Sequence, residues 1–249
     1  MIVNTIWIGR ELGPIHTACL RSFLRHGHDV VLHAYGRPDD TPNGVRLFDA
    51  SKLMKEEEIV LHKGTGSLTL AADRYRYRLL REGMGLYVDC DMYCMKPFPE
   101  NDYTFGWEDD ETINNAVLNA PHDSAFLQHV LSAAEDPYFI PLWRKKRKTL
   151  YARTRKAIGF PIHVSQHKWG TIGPRLVSHY VKELGLTEKA RPIDAFYPVY
   201  FKQLDLLYEK GLKMRDIITP RTYGVHLYNS LLKNRPVIEG SPLHEILNA

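Results

Sequence analysis

The sequence predicts an α/β domain, and three observations carry that expectation. The chain opens as strand, helix, strand: residues 2–9 are apolar and β-rich, Pro14 starts a helix that runs to about His26, and residues 29–35 form a second β-rich run. A short apolar run, Leu86-Tyr87-Val88, sits between Gly85 and a pair of acids, the pattern of a short buried parallel strand. Beyond it, strand-like and helical segments continue to alternate, with a strand at 103–108, an Asn-rich segment at 113–120, and helices at about 123–134 and 175–184.

Composition sets the outer bounds. With 249 residues, 44% of them hydrophobic and 25% charged, the chain suits one ordinary globular domain with a modest lobe. No apolar run is long enough to span a bilayer, and the N-terminus lacks a basic segment followed by a signal-type apolar core. The expected location is therefore the cytoplasm, or the inner face of a membrane by peripheral attachment. Cys19, Cys90 and Cys94 form neither a disulfide framework nor a zinc spacing, and they read as reduced packing residues.

Chemistry concentrates at the end of the 86–88 run. Asp89 and Asp91 lie two apart, so in an extended chain both carboxylates point to one side. Two such acids repel unless a proton or cation joins them. A hard divalent ion, Mn²⁺ or Mg²⁺, takes carboxylate oxygens and commonly holds substrate phosphates as well. No G-x-G-x-x-G and no P-loop lysine motif is present, so phosphate charge falls to a metal and side chains.

The preceding segment reads as a helix with Ser67 at its N-cap and Leu68, Ala72, Tyr75 and Leu79 along one face. Asp73 and Arg76 fall on a neighbouring face. Taken alone, they read as a surface pair three residues apart, worth a few tenths of a kcal/mol at about the best.

Together these stretches say more. Residues 72–80 (Ala-Asp-Arg-Tyr-Arg-Tyr-Arg-Leu-Leu), followed by 85–91 (Gly-Leu-Tyr-Val-Asp-Cys-Asp), resemble the sugar-binding region of glycosyltransferase family 32. That D-x-D family includes capsular-polysaccharide transferases and fungal mannosyltransferases, and it is similar to the glucosylating domains of large clostridial toxins. Met84 stands where the family usually has the first of two glycines. The resemblance implies a GT-A fold, a mixed sheet flanked by helices, as one catalytic domain over 1–249. Its nucleotide-sugar half would be 1–100 and its acceptor half 101–249. It also implies hexose transfer with retained configuration, from a UDP-hexose or GDP-mannose to a glycan or lipid-linked acceptor. Asp89 and Asp91 would hold the metal, and Asp73 and Arg76 would grip the donor sugar, with Tyr87 beside them.

Four further positions carry family-like segments, each with a plain structural alternative. Trp7 matches a base-contacting tryptophan, and alternatively is core. Asn115 matches a sugar or acceptor contact, and alternatively is a strand-edge or turn asparagine. His226 would return to the metal, and alternatively is a buried histidine satisfied by backbone; Asn229 would reach metal or diphosphate. The turn at 169–174 would line the acceptor side, residues 196–200 would pack, and Leu231 stands where the family often has tryptophan.

Residues 143–156 carry eight basic side chains and no acid. A solvated helix face, an anionic membrane or a lipid-diphosphate acceptor are open readings for 144–156, and nucleic acid is not expected. The segments 52–60 and Glu56-Glu57-Glu58 read as a charged, solvated helix. Two other functions compete for the D-x-D. One is a phosphohydrolase of haloacid dehalogenase type, which wants Gly or Thr just beyond the acids where Met92 and Tyr93 stand. The other is a non-catalytic sugar-nucleotide-binding module.

Overall fold

The computed structural model describes residues 1–232 and 235–249. Its eight strands are β1 (Ile2–Trp7), β2 (Asp29–Ala34), β3 (Arg46–Asp49), β4 (Leu86–Val88), β5 (Met92–Cys94), β6 (Thr104–Trp107), β7 (Ile113–Asn119) and β8 (Gly224–His226). The helices are α1 (Gly13–Arg25), α2 (Thr69–Arg81), α3 (Ala125–Glu135), α4 (Lys146–Ala157), α5 (Pro174–Glu183), α6 (Met214–Ile217), α7 (Asn229–Leu232) and α8 (Pro242–Asn248).

Six strands form one sheet in the order β3-β2-β1-β4-β7-β6, and β5 pairs with β8 in a separate two-stranded ribbon. β1 runs parallel to β2 and β4, and β2 parallel to β3, while β7 is antiparallel to both β4 and β6. This is the mixed α/β architecture expected. Alternation along the strands sends residues to two cores. Val3, Val30, Leu32, Leu86 and Val88 face α1, α8 and the ribbon, whereas Ile6, Tyr87 and Leu118 face α2, α3 and α5. The three cysteines are free and buried, as expected. Among the described residues no helix is long and apolar enough to cross a membrane.

One buried polar set seats β4 beside β1. Asn4 donates from Nδ2 to the carbonyls of Met84 (2.9 Å) and Leu86 (3.3 Å), and its Oδ1 lies 3.0 Å from Nε2 of His33. With the Asn4 oxygen as acceptor, His33 carries its proton on Nε2, and its Nδ1 accepts from the Tyr75 hydroxyl at 2.8 Å. Gly85 belongs to this junction: its φ is 107°, and a Cβ there would stand 3.0 Å from the Ile2 carbonyl oxygen. The glycine next to β4 is thus required by backbone approach.

Several local expectations need correction. Helix α2 starts at Thr69 with Leu68 at the N-cap position; Ser67 instead accepts from the Thr69 N–H at 3.2 Å. Residues 52–60 form two 3₁₀ turns, at Ala50–Lys52 and Glu56–Glu58, and no α-helix. Nor is Glu58 simply solvated, because Arg78 clamps both its oxygens, at 2.7 and 3.2 Å. Strand β3 was not expected from sequence; it is four residues long, lies at the sheet edge and has little alternation of burial to betray it.

Candidate active site

The site gathers at the carboxyl ends of β1 and β4, where α/β sheets place ligands. β4 stops at Val88, so Asp89 and Asp91 do not lie in an extended strand. A turn brings them together instead: the Asp89 N–H donates to the Ala116 carbonyl at 2.7 Å, and the Met92 N–H returns to the Asp89 carbonyl at 3.0 Å. The chain then enters β5, whose first residue, Met92, pairs with His226 in β8. That pairing carries His226 across to the two acids. Asp89, Asp91 and His226 each offer a ligand atom, all within 4.8 Å of one another.

Behind the triad, α2 supplies a buried charge cluster. Asp73 and Arg76 are each only 4% exposed, which excludes the surface-pair reading. The Arg76 guanidinium lies 3.0 Å from Oδ1 of Asp89 and 3.4 Å from Oδ1 of Asp73, and it also donates to the Asn115 carbonyl. Its flat face covers the Tyr87 ring at 4.5 Å. Asn115 donates from Nδ2 to Asp73 at 2.8 Å. Burial pushes the Asp73 carboxyl up to about 6, against the pull of Arg76 and the Asn115 amide. For Arg76 burial acts toward loss of charge, but the carboxylates of Asp89 and Asp73 outweigh it and raise its pKa.

Tyr87 lies in the core beneath the acids. It is 1% exposed and donates its hydroxyl to Oδ1 of Asp89 at 3.0 Å from the core side. It therefore orients Asp89. Asn115 likewise spends its side-chain amide on Asp73.

On the opposite side, the Asn229 backbone N–H donates to Oδ2 of Asp91 at 2.8 Å, and its side chain lies 3.2 Å from Nε2 of His16. The His16 ring packs 4.4 Å from that of Trp7, at the end of β1. Trp7 is half-buried, and its indole N–H is buried without a partner among the described residues. The first amides of α1 are already used: Leu12 and Gly13 both donate to Asp40 at 2.7 Å. An anion at that helix end would meet a carboxylate, which agrees with the absence of a phosphate-binding glycine loop.

Two contributors, His16 and Glu108, were not legible in the sequence, and the contact of Gly173, within the turn at 169–174, was not legible either. His16 sits in a helix with no pattern that marks it. Glu108, at the end of β6, is buried and accepts from the Tyr228 hydroxyl at 2.8 Å. Gly173 precedes α5 so closely that a Cβ would stand 2.7 Å from Oδ2 of Asp73. No local spacing links any of these to residues tens of positions away.

The donor set fits a divalent ion. Asp91 is held through Oδ1 by His226 Nε2 at 3.1 Å and through Oδ2 by Asn229, while Oδ2 of Asp89 faces the same Nε2 at 3.9 Å. Burial alone would lower His226 and raise Asp91; their pairing reverses both, so the imidazole is raised and the carboxyl held well below the usual range. The His226 proton thus stands where positive charge is demanded. Two carboxylate oxygens and one imidazole nitrogen are a ligand set compatible with a divalent metal.

Residues 160–244 match the family model described as the alpha 1,4-glycosyltransferase conserved region. The match covers about a third of the chain and includes Gly173, His226 and Asn229, while the two acids lie N-terminal to it. By class, then, the chain is a glycosyltransferase enzyme. Two solved structures are similar at 11% identity. A PaToxG glycosyltransferase matches over 76% of this chain and 70% of its own, with a TM-score of 0.45. A transferase with two cysteine-to-serine substitutions matches over 68% of this chain and 88% of its own, with a TM-score of 0.36. No curated protein sequence matches the chain.

Proposed function

We propose that this chain is a divalent-metal-dependent glycosyltransferase that moves a hexose from a nucleotide sugar to a saccharide or lipid-linked glycan, as in capsule or other surface-polysaccharide synthesis. The observation that carries the reading is the convergence of Asp89, Asp91 and His226 within 4.8 Å, backed by the buried Asp73–Arg76–Asn115 cluster. The resemblance of residues 72–91 to glycosyltransferase family 32 supports the same reading, and with it a single catalytic domain and retained anomeric configuration.

In this proposal Asp89, Asp91 and His226 hold Mn²⁺ or Mg²⁺. Bound there, the ion supplies Lewis-acid and electrostatic stabilisation to a departing diphosphate. Asp73 and Arg76 form the floor on which the sugar hydroxyls are oriented; Trp7 faces the base and Asn229 the diphosphate. The bond from the anomeric carbon to the diphosphate oxygen breaks as the acceptor hydroxyl attacks from the same face, and its proton passes to the departing phosphate oxygen. A dehalogenase-type phosphohydrolase needs one aspartate free as nucleophile. Oδ2 of Asp89 is open enough for that, so what disfavours the alternative is Met92 and Tyr93 standing where it wants Gly or Thr.

The test is hydrolysis of UDP-hexoses and GDP-mannose with Mn²⁺, with a chelator, and in the Asp91→Ala variant. Turnover of one donor that stops under both treatments is expected. Turnover that survives both would remove the metal from the reaction, and tight donor binding without turnover would leave a binding module.

A further inference from the structure

The basic run takes no part in the site above, yet its conformation is specific. Lys146–Ala157 forms α4, and only Ala152 of that helix is buried. Thr149 and Arg155 flank Ala152 on the inward side and are half-buried. Leu150, Thr154 and Ile158 follow at four-residue spacing on the outward face, with Tyr151 beside them. The chain then turns back at Gly159, where the Phe160 N–H donates to the Arg155 carbonyl at 2.8 Å and Arg155 Nε donates to the Phe160 carbonyl at 2.9 Å. Phe160 is thereby held with its ring outward.

Exposure decides what this face is. Leu150 is 67% exposed, Phe160 66%, Ile158 63% and Tyr151 59%. Among the described residues these are the four most exposed large apolar side chains, and all lie on one helix and its C-terminal turn. Single exposed apolar residues need no explanation, but four gathered among cations do. Of the eight basic residues, Lys156 pairs with Asp136 at 3.3 Å, Arg144 reaches His167, and Arg155 caps the turn. Among the described residues, Lys145, Lys146, Arg147, Lys148 and Arg153 have no ion-pair partner. The helix is tied back through Trp143, whose ring lies 5.3 Å from that of His179 in α5.

We infer that α4 and its C-terminal turn are a membrane-docking face for an anionic phospholipid leaflet. Apolar tips enter the boundary between headgroups and acyl chains, while the unpaired lysines and arginines meet lipid phosphates. Nucleic acid would answer the charge and could stack on Tyr151 and Phe160, but it would leave Leu150 and Ile158 without a role. The inference does not depend on the donor chemistry.

The experiment is co-sedimentation of the full chain with vesicles of phosphatidylcholine alone and of equal parts phosphatidylcholine and phosphatidylglycerol. It is repeated with Leu150→Ser/Ile158→Ser/Phe160→Ser, with Arg147→Glu/Lys148→Glu, and with single-stranded RNA as competitor. The wild-type chain is expected to bind the anionic vesicles only, and each variant to bind about tenfold more weakly. Melting temperature and donor hydrolysis should be unchanged, because these side chains are exposed and make no hydrogen bond or ion pair to the triad. Wild-type indifference to phosphatidylglycerol, full binding by the triple serine variant, or RNA binding in preference to vesicles would each overturn the assignment.

Discussion

Tyr228 and Glu108 lie 120 positions apart, and the phenol of one donates a 2.8 Å hydrogen bond to the carboxylate of the other. That bond holds Tyr228 at φ 49°, a left-handed conformation that non-glycine residues seldom adopt, with its ring 4.1 Å from that of His226. Glu108 therefore positions the loop that delivers His226 and Asn229 to Asp91. Glu108→Gln keeps an acceptor oxygen for Tyr228 and should retain Mn²⁺ affinity within a few-fold. Glu108→Ala should weaken it by about 10- to 100-fold, the usual effect of losing a group that supports metal ligands. Titration of Mn²⁺ against melting temperature reads both; equal affinities in the two variants would remove Glu108 from this role.

Arg76 meets Asp89, Asp73, the Asn115 carbonyl and the Tyr87 ring at once, which only a planar, many-donor cation can do. Arg76→Lys keeps the charge but not the fork or the stacking. Donor turnover should fall about 100-fold or more, and stability by about 2 kcal/mol, as Asp73 loses part of its compensation. Arg76→Ala should cost more still, about 3–5 kcal/mol, because the buried acids are then unpaired. Denaturant melts of both variants test the order.

Gly173 tests the site through a residue that carries no side chain. In Gly173→Ala the new methyl meets the Asp73 carboxylate at 2.7 and 3.0 Å, and that carboxylate, bonded to Asn115 and paired with Arg76, has little room to retreat. Turnover should drop about tenfold or more with only about 1–3 kcal/mol lost in stability, the range for overpacking a well-filled interior. A variant with wild-type kinetics would show that Asp73 does not need its present position.

Acid sensitivity should trace to His33. Burial lowers this histidine from its usual 6.5 to about 4, so the fold favours the neutral ring. Its contribution to stability is complete above pH 6.5 and is lost as pH falls from 6.5 toward 4, amounting to about 3 kcal/mol. Asp73, raised by burial to about 6, gains a proton more readily in the folded chain and opposes this loss over the same interval, so the readout is the difference between chains. In urea melts the wild-type chain should lose stability relative to His33→Gln as pH falls from 6.5 to 4. A residual slope is expected from His28 and His167, which burial also lowers. An unchanged slope in His33→Gln would place the buried proton site elsewhere.

Much of this arrangement was legible beforehand, for local reasons. The run 86–88 is short, apolar and bounded by Gly85 and Asp89, so its character as a buried strand followed from pattern alone. Asp73 and Arg76 were legible only as a motif, because three-residue spacing places them together without saying whether they face water. The D-x-D was found for a reason that needed amending: the acids converge through a turn closed on Ala116, not through an extended strand. Alternation assigns Tyr87 a face but not the neighbours that close over it, so its bond to Asp89 could not be read beforehand. The stretch 52–60 looked helical from its charges, while the clamp of Arg78 on Glu58 holds it in 3₁₀ turns.

By itself, the order of residues determined the α/β class, the strand that ends in two acids, and the basic character of 144–156, since each depends on periodicity and composition over a few neighbours. Tertiary structure alone decided that His226 meets Asp91, that Glu108 holds Tyr228, that Gly173 leaves room for Asp73, and that Leu150 and Phe160 face outward. Those relations join positions far apart in the chain. Their energies come from desolvation and close packing, which arise only once the sheet and its helices have come together.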